Sequence, residues 1–367
     1  MPIEGHDHQQ IIYEEPAPKV ARIVMNRPER RNAQGIIMTY ELDDALRRAC
    51  HDDNINVIIL AAAGDHWNSG HDISGEEGTF PPADKVVGAV ARLFDLDAVP
   101  GVDDEFTFPA RPTTSRARIF GGQVIAQAMT AAARTVDPDK QVHSLHAYFL
   151  RGGDETKPLH FRLHRDFDGR SFSNRRVVVR QDGKVIFNLT ASFQVPAEGL
   201  SHQTAMPDLL PPEECWDFTD FIAADPHISD RQLAHMARSR PFEVRSFRPP
   251  ASDRATQHYQ WFRVAAPIGD DPLLHRGFLA FASDMGLLSS AMLPHGVSFW
   301  TPGMVSTSLD HAMWFHGDVR VDDWFVFVMD SPWTGGDRGL CRGSIYRRDG
   351  TLMATAAQEG LIRYRPQ

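Results

Sequence analysis

Hydrophobic and polar positions divide the chain into three stretches of different rhythm. From residue 19 an apolar strand pattern, "KVARIVMNRP", is followed by the amphipathic helix pattern "MTYELDDALRRACHD" and a short apolar strand, "INVIILAAAG". A polar tail precedes them, and residues 75–84, "GEEGTFPPAD", have the composition of a linker. The second stretch opens on "GGQVIAQAMTAAARTV" (121–136), whose apolar positions at helical spacing predict a buried helix. Strand patterns follow: "HSLHAYFL", "PLHFRLHRDF" and "SFSNRRVVVRQDGKVIFNLTASFQV". In the last, Asp182-Gly183 between apolar runs predicts a hairpin turn. Residues 198–240 are rich in Pro, Asp and His and predict a connection with short helices. The third stretch then repeats the second, with "GFLAFASDMGLLSSAML" (277–293) as its helix, "SLDHAMWFH" (308–316) as its first strand and "RGSIYRRDGTLMATAAQEGLI" as its terminal hairpin.

Three landmarks recur in the same order at nearly constant offset: 167 residues between the Asp-Gly turns, 164 between the Ser-Leu pairs and 163 between the "AM" pairs of the helices. A tandem duplication explains them. Each copy has one long helix and a run of antiparallel strands, and a curled sheet wrapped round the helix buries its apolar face. The expected class is α+β, with the two copies side by side forming one sheet. The expected boundaries are 1–88 for the leading segment, 92–200 for the first copy, 201–240 for a linker and 241–367 for the second copy.

Composition narrows the function. The chain has 367 residues, with 38 Lys and Arg against 48 Asp and Glu, for a net charge of −10. An acidic chain is a poor candidate for wrapping nucleic acid or an anionic membrane. Three cysteines without a CxxC pair support neither a disulfide framework nor a zinc ribbon. The first residues, "MPIEGHDHQQ", lack the charged and apolar regions of a signal peptide. "HDH" at 6–8 reads as tail and not as a metal site. With no run approaching 18 apolar residues, the expectation is a soluble cytoplasmic protein. No G-x-S-x-G elbow, Walker, dinucleotide or HExxH pattern is present.

"FGGQVIAQAM", "HSLHAYFLRGGD", "DGRSFSNRRV", "ASDMGLL", "SLDHAMWFH" and "ATAAQEGLIR" together resemble the acyl-CoA thioesterase II family, a double hotdog fold, over about residues 92–367. The resemblance implies hydrolysis of fatty acyl-CoA by a water that an Asp, a Thr and a Gln of the second hotdog position. Residue by residue these fall on Asp284, at the head of the second copy's helix, on Ser308, where the usual Thr has lost its methyl, and on Gln358. It further implies no cofactor beyond the CoA of the substrate, no metal, and a homo-oligomer. Gly121 and Gly122, opening the first copy's helix, would let a ligand approach the backbone. His143 and His311 are candidates for lining the substrate or CoA site. Under the offsets, Gly121 stands where the second copy has Asp284, Ala191 stands where it has Gln358, and Ser144 matches Ser308. One working site per pair is therefore expected, with the first copy supplying walls and oxyanion support.

The leading segment resembles another family. "VMNRPERRNAQ" and "HWNSGHDIS" are similar to the opening of the crotonase (enoyl-CoA hydratase/isomerase) superfamily, about a third of that domain. By that resemblance His71 would offer one oxyanion N–H, but the second donor and the later acidic residues are missing. Two other readings are open beside hydrolysis: hydratase or isomerase activity from this segment, and a non-catalytic acyl-CoA binder.

Overall fold

A computed structural model describes residues 8–70, 72, 82–110, 118–229, 232–233, 240–247 and 257–366. The chain forms two compact units, Met1–Val86 and Val87–Gln367.

In the first unit β1 (Ile11–Ala17) and β2 (Val20–Met25) form an antiparallel pair, and β3 (Val57–Ala62) joins β2 in parallel. The crossover is α1 (Ile36–His51), as the periodicity predicts. β1 lies in the stretch read as polar tail. Ile11, Ile23, Met25, Met38, Leu42 and Ala45 make the core. β3 is an apolar edge with Val57, Ile59 and Leu60 exposed, as expected of an α/β sheet that stops early. The two crotonase-like motifs are bound together locally. The buried Asn32 side chain accepts from the Arg27 N–H and donates to the carbonyls of Ala63 and His66, while Arg27 pairs with Asp72 at 2.8 Å. His71 lies outside the described residues.

The second unit begins inside helix α2 (Ala83–Leu93), so the expected break between residues 88 and 92 falls within a helix. Val87, Val90 and Leu93 belong to the large core of the second unit, and the apolar face that holds them outweighs the loop-like composition before it. The first hotdog comprises β4 (Asp97–Ala98), β5 (Glu105–Phe108), α3 (Gly121–Ala133), β6 (Gln141–Phe149), β7 (Leu159–Asp168), β8 (Phe172–Gln181) and β9 (Lys184–Gln194). Asp182 and Gly183, at φ 48° and 73°, make the two-residue turn the sequence predicts. After β10 (Trp216–Asp217) and the short α4 (Phe218–Ala223), the second hotdog repeats the order. Its elements are β11 (Phe242–Ser246), β12 (Gln257–Val264), α5 (Pro272–Ser283), β13 (Met304–Ser308), β14 (Asp310–Phe315), β15 (Phe325–Gly335), β16 (Arg338–Arg347) and β17 (Leu352–Tyr364).

All fourteen strands from β4 to β17 form one sheet, joined between the copies where β14 pairs antiparallel with β6, Asp310 opposite Tyr148 through Trp314 opposite Ser144. α3 is buried from Gly122 to Ala132, and α5 along most of its length. Pro272–His295 is long and apolar enough overall to cross a membrane, with a mean hydropathy of 1.2 in an 18-residue window, although polar residues such as Arg276 and Asp284 interrupt it. It is mostly buried in the core, and the α-helix within it stops at Ser283.

Two expectations need correction here. The helix predicted over 277–293 is α5 to Ser283 and then a 3-10 turn, Leu287–Ala291. Gly286 at φ 79° accounts for the break, because an L side chain resists that left-handed conformation where glycine does not. Asp284 therefore caps the C-terminal end of the helix and does not stand at its head. "SLDHAMWFH" is not one strand either. Ser308 pairs with Gly360 on β17, whereas Ala312 pairs with Ala357, so β13–β14 carries one extra residue between these points. This bulge re-aims the side chains around it.

Candidate active site

Asp284 is reached from both copies. Its Oδ1 accepts from Gln358 Nε2 at 3.0 Å and from Ser308 Oγ at 3.3 Å. Its Oδ2 accepts from the backbone N–H of Gly122 at 2.9 Å, in the first turn of α3. Gln358 Nε2 also donates to Ser308 Oγ at 2.5 Å. The sequence-predicted Asp, Ser and Gln thus come together, although they lie 24 and 50 residues apart in order along the chain.

Local structure explains the meeting. The end of α5 releases Asp284 towards the first turn of α3, where backbone N–H groups lack helical acceptors and carry partial positive charge. The bulge lets Ser308 and His311, which a regular strand would send to opposite faces, both reach Gln358 on β17. Asp310 fills the interrupted ladder by accepting from the Glu359 N–H at 2.7 Å.

Burial pushes the Asp284 carboxyl up from 3.8 to about 6, against the opposing pull of the hydrogen bonds from Gln358, Gly122 and Ser308. That value is close to the range in which a carboxylate works as a base near neutrality.

Gly121 and Gly122 do permit a close backbone approach, but what approaches belongs to the protein. A Cβ on Gly121 would lie 2.5 Å from Asp284 Oδ2, and one on Gly122 would lie 2.3 Å from the Phe281 carbonyl oxygen. Gly121 does not take Asp284's place in the second copy. It opens α3, the helix equivalent to α5, and touches Asp284 across the join. His311, expected against substrate or CoA, is 1% exposed; its Nε2 lies 2.9 Å from Ser283 Oγ and its Nδ1 3.4 Å from Gln358 Oε1. It stands behind Gln358, with no surface to offer a ligand. His143 is not part of the cluster. It sits at the opposite end of β6 from Phe149, whose ring abuts Gly121, and its Nε2 pairs with Ser192 Oγ at 2.9 Å. On the strands of the first hotdog Arg162, Arg165, Arg175 and Arg176 each pair with a carboxylate.

Two participants were not read in their roles from the sequence. Gly122 was expected to let a ligand approach the backbone, and its N–H holds the carboxylate instead. Ser283, adjacent to Asp284, was not singled out; the adjoining polar pair Asp310-His311, which breaks the strand alternation, was the available signal for the bulge.

Comparison with known proteins follows the same division. The family profile described as acyl-CoA thioesterase matches residues 234–361, and that described as acyl-CoA thioesterase N-terminal domain matches 109–194. Acyl-coenzyme A thioesterase 8 of Rattus norvegicus is 41% identical over 269 residues, covering 70% of this chain and 83% of the relative. The crystal structure of the acyl-CoA thioesterase II TesB2 from Mycobacterium marinum superposes with a TM-score of 0.62 at 38% identity, over 75% of this chain and 98% of that one. The N-terminal region is similar to the probable enoyl-CoA hydratase echA12 of Mycobacterium bovis, 36% identical over 143 residues, which cover 39% of this chain and only 48% of that protein. On the profile matches, the length and identity of the shared sequence and the shared double hotdog, the chain belongs to the acyl-CoA thioesterase II family.

Proposed function

We propose that this protein hydrolyses fatty acyl-CoA to free fatty acid and CoA, with Asp284 as the base that activates water. The observation that carries the reading is the convergence of Gln358, Ser308 and the Gly122 N–H on one half-buried carboxylate. A carboxylate offers about four lone-pair directions. Among the described residues three donors occupy two on Oδ1 and one on Oδ2, so one direction on Oδ2 can accept a proton from water. As Asp284 takes that proton, the water oxygen bonds to the thioester carbon. The C–S bond then breaks and the proton passes to the departing thiolate. A thiol pKa of about 8.5, by analogy with cysteine, makes this a good leaving group, so the site needs little acid assistance. Ser308 and Gln358 hold the base in line with the attack path. The Gly121 N–H, beside Asp284, is the donor proposed for the developing oxyanion.

The test is thiol release from acyl-CoAs of several chain lengths across a pH series. The active form of Asp284 is ionised and its pKa is raised to about 6. Hydrolysis is therefore expected to be level above about pH 7 and to fall about tenfold per unit below about pH 6. A profile flat from pH 5 to pH 8 would remove Asp284 as the base.

Hydratase chemistry is not favoured, because the chain spans under half of the enoyl-CoA hydratase it resembles. All three candidate side chains belong to the second unit. A chain beginning at Pro82, before α2, is accordingly expected to keep thiol release within about threefold of the full chain, since that cut removes none of the donors on which proton transfer relies. A larger loss would give the first unit a part in the reaction. The three cysteines are free, which supports a reducing, cytoplasmic setting, and a homo-oligomer is the proposed assembly.

A further inference from the structure

The site leaves one buried group unused. His311 lies on β14 directly behind Gln358, between the Gln358 amide and the Ser283 hydroxyl, and both it and Gln358 are 1% exposed. Burial pushes the His311 imidazole down to about 4, so the ring is neutral near pH 7 and carries one proton for two nitrogens.

The location of that proton decides which way Gln358 faces. Gln358 has two donor hydrogens on one end of its amide and an acceptor oxygen on the other. Its Nε2 reaches Asp284 Oδ1 and Ser308 Oγ, which leaves Oε1 towards His311 Nδ1 at 3.4 Å. If Nδ1 carries the proton, Oε1 is satisfied and the amide is locked with its N–H groups on the carboxylate. If Nε2 carries it, two lone pairs oppose each other. Turning the amide to relieve them would aim Oε1 at the carboxylate of Asp284. The engaged Nε2 of Gln358 settles the choice, because the Oε1 left facing His311 can only accept and so calls for Nδ1–H. At the far end the Ser283 hydroxyl, 2.8 Å from the Ala280 carbonyl and 2.9 Å from His311 Nε2, can turn its one proton to either acceptor.

We infer that His311 is a positioning residue for hydrolysis: its Nδ1–H, donated to Oε1, holds the Gln358 amide in the orientation that serves Asp284 and Ser308. The inference rests on the proposed role of Asp284 and Gln358 and adds to it a residue that acts without touching substrate. It also accounts for the bulge, which brings Ser308 and His311 to the same glutamine.

The experiment measures kcat and KM for thiol release by His311→Leu, His311→Asn, Gln358→Ala and the double variant His311→Leu/Gln358→Ala in the full chain. His311→Leu is expected to lower kcat about tenfold and to leave KM within about twofold, since the loss lies in orientation and not in substrate binding. His311→Asn, whose amide N–H falls near the Nδ1 position, should restore most of the rate. In the Gln358→Ala background His311→Leu should cost nothing further, because its effect passes through that amide. Additive losses, or a parental kcat in His311→Leu, would overturn the inference while leaving the reading of the site intact. Parental rates in Gln358→Ala and Asp284→Asn would remove that reading and the inference with it. Nitrogen-15 NMR of labelled histidine in the unmutated protein tests the tautomer whether or not the leucine variant folds: an Nδ1–H signal for His311 supports the assignment, and an Nε2–H signal overturns it.

Discussion

Replacing Asp284 by Asn is expected to reduce thiol release by at least about a hundredfold while the protein stays folded. The amide has nearly the shape of the carboxylate, yet it cannot accept a proton from water, and loss of a positioned base costs about two to four orders of magnitude. Stability should move in a way that separates lost chemistry from lost fold. The folded-state pKa of Asp284 is raised above its ordinary 3.8, to about 6. Its protonated form therefore favours the folded state below about pH 4, and that contribution disappears as pH rises through 6. The parent carries this cost at pH 7 and the Asn variant, neutral throughout, does not. Relative to the parent, the variant should accordingly lose up to about 3 kcal/mol of its stability advantage, or gain as much disadvantage, when unfolding is measured at pH 4 instead of pH 7. The offset between the two proteins at any one pH is less informative, because an Asn turns one donor towards a group that expects an acceptor. A parental rate in this variant would exclude Asp284 from the reaction. An inactive variant whose stability difference is the same at both pH values would show that the carboxyl is not held above its ordinary pKa in the folded protein.

The duplicated hotdog was legible because each copy repeats the helix, the strand rhythm and an Asp-Gly turn, and such repeats survive in one dimension. The site was legible only in part. Asp284, Ser308 and Gln358 are marked by family-like motifs, and no local pattern in the sequence says that they meet. The register of α5 was misread because "LLSSAML" continues the apolar composition beyond Ser283. The stop comes from the backbone of Gly286, a single residue whose signal is weaker than the apolar run around it. The bulge was misread for a related reason. An alternating pattern tolerates one extra residue, and only the adjacent polar pair Asp310-His311 betrays it. The role of His311 followed from that bulge, and so a residue expected to meet substrate proved to be packed behind Gln358. The asymmetry of the pair was foreseen in kind but not in detail. The first copy contributes to the carboxylate as well as to its surroundings, through a backbone group that has no side chain to announce it.

That cross-copy bond makes Gly122 an exacting position beside the Asp, Ser and Gln themselves. A methyl group there would sit 2.3 Å from the Phe281 carbonyl oxygen and 2.5 Å from the Phe120 ring. The ring can turn, but the carbonyl belongs to the last turn of α5 and can yield only if α3 and α5 separate. The start of α3 must then withdraw by something like an ångström, which stretches the 2.9 Å bond from the Gly122 N–H to Asp284 beyond useful length. Two effects follow from the one displacement. The carboxylate loses a donor that lowers its pKa, so the acid limb of hydrolysis should move to higher pH. The base also loses alignment with the thioester, and a misplacement of about 1 Å costs about a hundredfold in rate. Gly122→Ala is expected to combine an upward-shifted acid limb with a loss of about tenfold to a hundredfold at pH 7. Its overpacking cost should be about 1–3 kcal/mol, so the rates are to be read at a temperature where circular dichroism shows the variant folded. Gly199→Ala, where the added methyl meets nothing within 4 Å, serves as the control and should behave as the parent. If Gly122→Ala matched the control in both rate and pH profile, the first hotdog would have no hold on the carboxylate, and the site would be the work of the second copy alone.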